Sequence, residues 1–261
     1  MTTDLPEVPA QPIMVAHGTR SVHGVKTVGR IAELVSERIG LTRVAFVDVL
    51  GPSPSELLVQ TPGPAIIVPA FLAAGYHVRR DIPEHIEASG HQRVTLCDNM
   101  GPDPMLAVLM LERLRAAGWR DGDAVVMAAA GSSDPLALAD VEMAARQLGD
   151  LVGDEVPVGY VTTATPRVPD VVAATRRSRR RRVFIAAYLL APGLFHSRLS
   201  EYGADGVAAP IGADPRVADL IAARFAAAAN SHATISGARP RAAERVVSSP
   251  ASAQGSLRVR R

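Results

Sequence analysis

Three side chains able to ligate a transition metal follow three successive apolar runs in the first half of this sequence. His17 closes Ile13-Met14-Val15-Ala16, Asp48 ends Val44-Ala45-Phe46-Val47, and His77 follows Ala65–Pro69 in Phe71-Leu72-Ala73-Ala74-Gly75-Tyr76-His77. Two imidazoles and a carboxylate suit a borderline divalent metal. Three protein ligands leave positions for water or substrate, the arrangement of catalytic rather than structural sites. A neutral imidazole also accepts a proton near neutral pH, so the same histidines could do acid–base work. The plainer alternative, three hydrogen-bonded loop residues with no ligand, stays open at this level.

The elements that must position them are short strands alternating with helical patterns, which predicts βα units and parallel sheets. Strands are expected at Ile13–Ala16, Val44–Val49, Ala65–Pro69 and Arg93–Cys97, with helices at Gly24–Ile39, Pro54–Gln60, Ile82–Ser89 and Asp103–Ala117. After a Gly118–Asp123 linker the order repeats. Strands fall at Ala124–Ala129, Val156–Val161, Val183–Tyr188 and Gly206–Ala208, and helices at Pro135–Leu148, Pro169–Arg177, Phe195–Tyr202 and Pro215–Ala229. The expected fold is therefore α/β, with two similar doubly wound lobes, 12–118 and 123–230. Ligands of such sheets bind beyond the carboxyl ends of the strands, where all three candidate ligands fall. At the corresponding places the second lobe carries Ala130, Thr162 and, approximately, His196.

Composition narrows the function classes. Residues 231–261 hold six arginines and one acid, leaving the body near −3 although the whole chain is formally +2. This stretch, rich in Ala, Ser, Arg and Pro, reads as a disordered solvated appendage, so neither nucleic acid nor membrane is an expected partner. The N-terminus lacks the basic and apolar regions of a signal peptide, and no run is long enough to span a bilayer. The lone Cys97 sits in an apolar run, fitting a buried thiol and a cytoplasmic protein. His23, His85, His91 and His232 read as surface residues, and Glu56 as a second-choice carboxylate.

His17-Gly18-Thr19-Arg20, the stretch Pro69–Pro83 and Leu189–His196 together resemble the sirohydrochlorin chelatase family of CbiX and SirB type, relatives of the ATP-independent class II ferrochelatases. The resemblance runs from about Ile13 to Ala229 and fits the long, two-lobed members, which implies a monomer. It implies a cleft that holds a tetrapyrrole while Fe²⁺ or Co²⁺ is inserted, with no cofactor beyond the substrate metal. By position, His17 and His77 match the metal-binding histidines, and His196 would face the macrocycle from the second lobe. Asp48 stands where several relatives carry glutamate, one methylene longer, so it would ligate directly or through water. The carboxylates of sirohydrochlorin call for cations and helix N-termini. Arg20, Arg79 and Arg80 are candidates, as are the backbone amides around Ser132 and Ser133, and Tyr76 would wall the cleft. Arg79 and Arg80 could equally pair with Asp81 and Glu84.

A non-catalytic metal or tetrapyrrole carrier would use the same ligands. A hydrolase is disfavoured because no Gly-x-Ser-x-Gly elbow is present. A dinucleotide enzyme is disfavoured because no Gly-x-Gly-x-x-Gly follows the first strand.

Overall fold

The computed structural model describes residues 9–179 and 181–237. Of the appendage expected over 231–261, residues 231–237 instead continue the last helix, because its helical backbone runs on to Gly237; residues 238–261 and the side chain of His232 lie outside the described residues. The first lobe runs β1 (Gln11–Ala16), α1 (Val22–Ile39), β2 (Arg43–Phe46), α2 (Pro54–Val59), β3 (Ala65–Pro69), a π-helical turn (His77–Asp81), α3 (Ile82–Ser89), β4 (Val94–Leu96) and α4 (Pro104–Ala116). The second runs β5 (Ala124–Ala129), α5 (Pro135–Val152), β6 (Val158–Tyr160), α6 (Val168–Arg179), β7 (Val183–Tyr188), α7 (Leu194–Arg198), a 3₁₀ turn, β8 (Gly206–Val207) and α8 (Pro215–Gly237). All strand pairs are parallel, in the orders β2-β1-β3-β4 and β6-β5-β7-β8. The last helix extends past the expected Ala229, and α5 past the expected Leu148.

Alternation along the central strands assigns each side chain to a layer. Ile13 and Val15 enter an outer core with Leu57, Leu58 and Ile82, beneath α2 and α3. Met14 and Ala16 enter an inner core that both lobes share. In the second lobe Ala124, Val126 and Ala128 join an outer core under α6, while Val125, Met127 and Ala129 join the shared one. The shared layer consists of α1, α4, α5 and α8, and its two closing helices are exchanged. α4, the last helix of the first lobe, packs on α5 and β7, whereas α8 packs on α1 and β3. Cys97 lies just after β4 at the edge of this inner core, and burial pushes its thiol up to about 11.

The duplication extends to backbone detail. Gly18 and Gly131 follow the two first strands with φ of 87° and 103°. A Cβ on either would lie about 2 Å from a backbone oxygen, 2.1 Å from Asp48 O and 2.0 Å from Thr162 O. Val49 and Thr163 both have positive φ, and both neighbouring turns contain a cis X-Pro bond. The turn at Val49 explains why β2 ends at Phe46 rather than at the expected Val49.

Ion pairs fasten the lobes. Arg216 bonds Glu112 at 2.6 Å and Asp214 at 2.9 Å, and Arg113 lies 3.3 Å from Asp214. Hydrogen bonding from the Arg216 side chain holds both the Asp214 and Glu112 carboxyls below their ordinary values of 3.8 and 4.5. A depressed folded pKa contributes stability above the unfolded value that is lost as pH falls through the folded one. Melting temperature is therefore expected to fall on acidification below about pH 4.5, with Asp214→Asn giving a shallower acid limb. Asparagine still caps α8, so a capping loss does not confuse the comparison. Parallel limbs in the two proteins would show that this network carries none of the acid sensitivity.

Candidate active site

β1 and β3 are the adjacent central strands where the winding of the first sheet reverses, and their carboxyl ends deliver His17 and His77. The two imidazoles meet edge to face with ring centres 4.5 Å apart. For a metal–imidazole bond of about 2.1 Å, two rings bound side by side on one ion have centres roughly 4.5–5 Å apart. The pair thus already has the spacing of a bis-imidazole site.

Its hydrogen bonds fix the tautomers. His17 Nδ1 lies 3.1 Å from the carbonyl of Gly18. His77 Nδ1 lies 2.5 Å from Asp81 Oδ2. A carbonyl and a carboxylate only accept, so both rings carry hydrogen on Nδ1. In the neutral rings this leaves the lone pair on Nε2, the form that binds a metal or takes a proton. The carboxylate behind His77 also restrains its ring. Asp81 acquires this position because the π-helical turn His77–Asp81 puts the two residues on one face. The sequence signal is the i,i+4 spacing of His77 and Asp81; the sequence reading offers Asp81 only as a partner for Arg79 or Arg80.

The third expected ligand is not brought in. Asp48 turns back on its own loop, its Oδ1 accepting the Val49 N–H at 2.7 Å, because the positive-φ turn directs the carboxylate along the backbone. Among the described residues no three His, Cys, Asp or Glu side chains converge as a metal site. Glu56 is taken up in the capping box of α2 with Ser53.

His196 is also displaced from its expected role. Matched on Gly75 and Gly193, the counterpart of His77 is Phe195, which packs against the outer core of the second lobe. His196 lies one residue further on, and its Nε2 donates to the Ala208 carbonyl at 3.0 Å. That bond ties the ring to the segment after β8.

Cations and walls are distributed unevenly. Arg20 and Arg79 are exposed beside the ligand loops. Arg79 Nε donates to the Ala74 carbonyl at 2.9 Å and lies 3.5 Å from Asp134 across the cleft, while Arg80 pairs with Glu84 at 3.6 Å. Ser132 accepts the Asp134 N–H at 3.0 Å, and Asp134 caps α5 by accepting from Leu136 N. The chain's own carboxylate therefore occupies the helix N-terminus expected to cradle an anion, and Ser133 beside it is exposed. Tyr76 and Phe71 stand 6.3 and 6.1 Å from the His77 ring. Val22, Val49, Leu50, Tyr76, Leu136 and Leu194 are all exposed on loops or first turns after the strand ends. A rim of exposed apolar side chains around polar groups marks a ligand groove. A groove of about 1040 Å³ lies elsewhere, along α5 and β6, and contains none of these residues. His85 and His91 are half-buried, bonded to Ser55 and to the Thr61 and Gly63 carbonyls.

Two doubly wound lobes with exchanged helices and an imidazole pair at one switch point define a chelatase-type two-lobed α/β protein. The sequence pattern of the CbiX family matches twice, over residues 11–117 and 124–228, and the chain belongs to that family. A sirohydrochlorin ferrochelatase of Priestia megaterium is 24% identical over 202 residues, 72% of this chain and 76% of that protein. A sirohydrochlorin cobaltochelatase of Sulfurisphaera tokodaii is 26% identical over 106 residues, covering 39% of this chain and 88% of the relative. Among solved structures, SirB from Bacillus subtilis with Fe³⁺ superposes with a TM-score of 0.74 at 24% identity, covering 86% of this chain and 98% of that one. This last likeness is one of fold.

Proposed function

We propose that this chain inserts a divalent metal, Fe²⁺ or Co²⁺, into sirohydrochlorin without ATP. The observation that carries the reading is the His17–His77 pair, 4.5 Å apart with both Nδ1 atoms engaged. Insertion exchanges two pyrrole N–H protons for the metal, which must also lose its water shell. In this reading His17 and His77 hold the ion through Nε2 and replace part of that shell; one of them takes one pyrrole proton once the ion has left it, and the second proton passes to water. If His77 is the acceptor, the Asp81 carboxylate at its Nδ1 stabilises the imidazolium so formed. The apolar rim receives the macrocycle faces, and Arg20 and Arg79 meet its carboxylates. Ferrochelatase and cobaltochelatase names among the relatives support the same reaction with either metal. The reading includes a monomer, supported by the internal duplication, and a cytoplasmic setting, supported by the lone buried thiol. Among the described residues no helix is long and apolar enough to cross a membrane.

The test is anaerobic incubation of the purified protein with sirohydrochlorin and Fe²⁺ or Co²⁺, following the free-base absorption. Repeated turnover well above the protein-free rate is expected with at least one metal. A carrier would bind one equivalent of metal or tetrapyrrole and stop, and that outcome would replace this reading.

A further inference from the structure

The loop that carries His77 is held by the opposite lobe. Tyr188, at the end of β7, donates its hydroxyl to the Leu72 carbonyl at 2.7 Å. Asp140, on α5, accepts the Ala74 N–H at 2.9 Å. Arg79 donates to the Ala74 carbonyl, so the N–H and carbonyl of this residue are both restrained. The next residue, Gly75, runs against the start of α5, where an added Cβ would sit 3.4 Å from Ser132 Oγ and 3.6 Å from Ala137 Cβ. Burial and the charges of Asp140 and Asp103 push the Tyr188 phenol far up, so it remains a donor.

The duplication supplies an internal control. Counting from the paired glycines, Ala74 corresponds to Pro192, Asp140 to Thr27 and Tyr188 to Ala70. Proline has no N–H to give. Thr27 donates its hydroxyl to His23 within its own helix, and Ala70 has no hydroxyl. The reciprocal loop nevertheless also passes close to the first lobe, with Pro192 O 2.9 Å from where a Gly24 Cβ would lie. The fold builds this loop crossing without the bonds. Among the described residues they occur on the side that bears the His17–His77 pair.

We propose that Asp140 and Tyr188 are positioning residues of the second lobe that hold the Leu72–Gly75 backbone and thereby keep the His77 imidazole at bis-ligand spacing from His17. The inference rests on the reading of His17 and His77 as the metal-delivering pair. Two ligands held at fixed spacing bind an ion without first ordering a loop, whereas a released loop must be ordered at each binding event. The second lobe would thus set metal affinity without contributing a ligand.

Titration of Co²⁺ alone into the full chain, followed by its visible ligand-field bands and by calorimetry, tests this. Asp140→Ala is expected to weaken Co²⁺ binding roughly 10–100-fold, as does loss of groups that orient a metal ligand, and Tyr188→Phe to weaken it in the same direction. Asp140→Asn, whose amide oxygen still accepts the Ala74 N–H, should restore most of the affinity. Thr27→Ala, the mirror position, should bind as the parent does. In a His77→Ala background, Asp140→Ala should add nothing. Parent-like binding in both Asp140→Ala and Tyr188→Phe, or an equal loss with His77 absent, overturns the clamp. Should Asp140→Ala fail to fold, Tyr188→Phe against the Asn variant decides: both binding like the parent overturns the proposal. Loss of binding in His77→Ala with parent-like binding in Asp140→Ala sinks the clamp alone. Parent-like binding in His77→Ala overturns the assignment of the pair as well.

Discussion

Alanine in place of His77 is expected to slow metal insertion by on the order of 10²–10³-fold, the scale of losing a positioned acid–base group, with a ligand lost in addition. His17→Ala should fall in the same range, because in the proposed reading each ring would supply one ligand to the same ion; both Nδ1 atoms are already engaged. Removing both should cost little more than removing either, since groups acting as a unit are strongly non-additive. Asp81→Asn should be milder, about tenfold, since the amide oxygen still holds Nδ1 but no longer carries the charge. His17 is exposed and His77 half-buried, so neither variant should melt much below the parent. The comparison needs only sirohydrochlorin, Fe²⁺ or Co²⁺ and an absorption trace. Two single variants inserting metal at the parent rate would falsify the assignment of this pair.

The largest structural effect should come from a single methyl group on the glycine after either first strand. Gly18→Ala places a Cβ 2.1 Å from a backbone oxygen at a φ of 87°, and Gly131→Ala repeats this at 2.0 Å and 103°. The obstructing atom is backbone in both cases, so no side chain can swing away. The left-handed conformation adds roughly 1 kcal/mol, and displacement of the β1–β2 or β5–β6 loops brings the total to about 3 kcal/mol or more. In a chain of this size that corresponds to a melting point lower by about 6–12 °C. The two variants should lose similar stability yet differ in chemistry. Gly18 adjoins His17, so its variant should also insert metal slowly per folded molecule, whereas Gly131 adjoins Ala130. A Gly18→Ala protein that melts like the parent would contradict the backbone crossing described here.

Much of this was legible in the residues. The duplicated strand order, the linker and the convergence of His17 and His77 follow from apolar periodicity and the rule that ligands sit at strand ends. Asp48 was misplaced because the positive φ of Val49 has no sequence signal, a β-branched residue being a poor marker of such a turn. Asp81 was overlooked as the partner of His77 because the segment between β3 and α3 read as loop, although a helical turn would have aligned the two. His196 was matched to His77 across a one-residue slip. The separations from Gly75 and Gly193, two residues and three, already held the correction. The exchange of α4 and α8 was invisible, since an apolar helix face records that it is covered and not by which sheet.

That exchange limits how the protein can move. Paired lobes joined by a simple linker can swing apart about it, but here each lobe has its closing helix laid on its neighbour. A clamshell opening would have to peel α4 from β7 and α8 from β3, uncovering apolar surface on both. Opening about Gly118–Asp123 would have to break this packing, which favours the loops at the strand ends as the way in and out for a macrocycle.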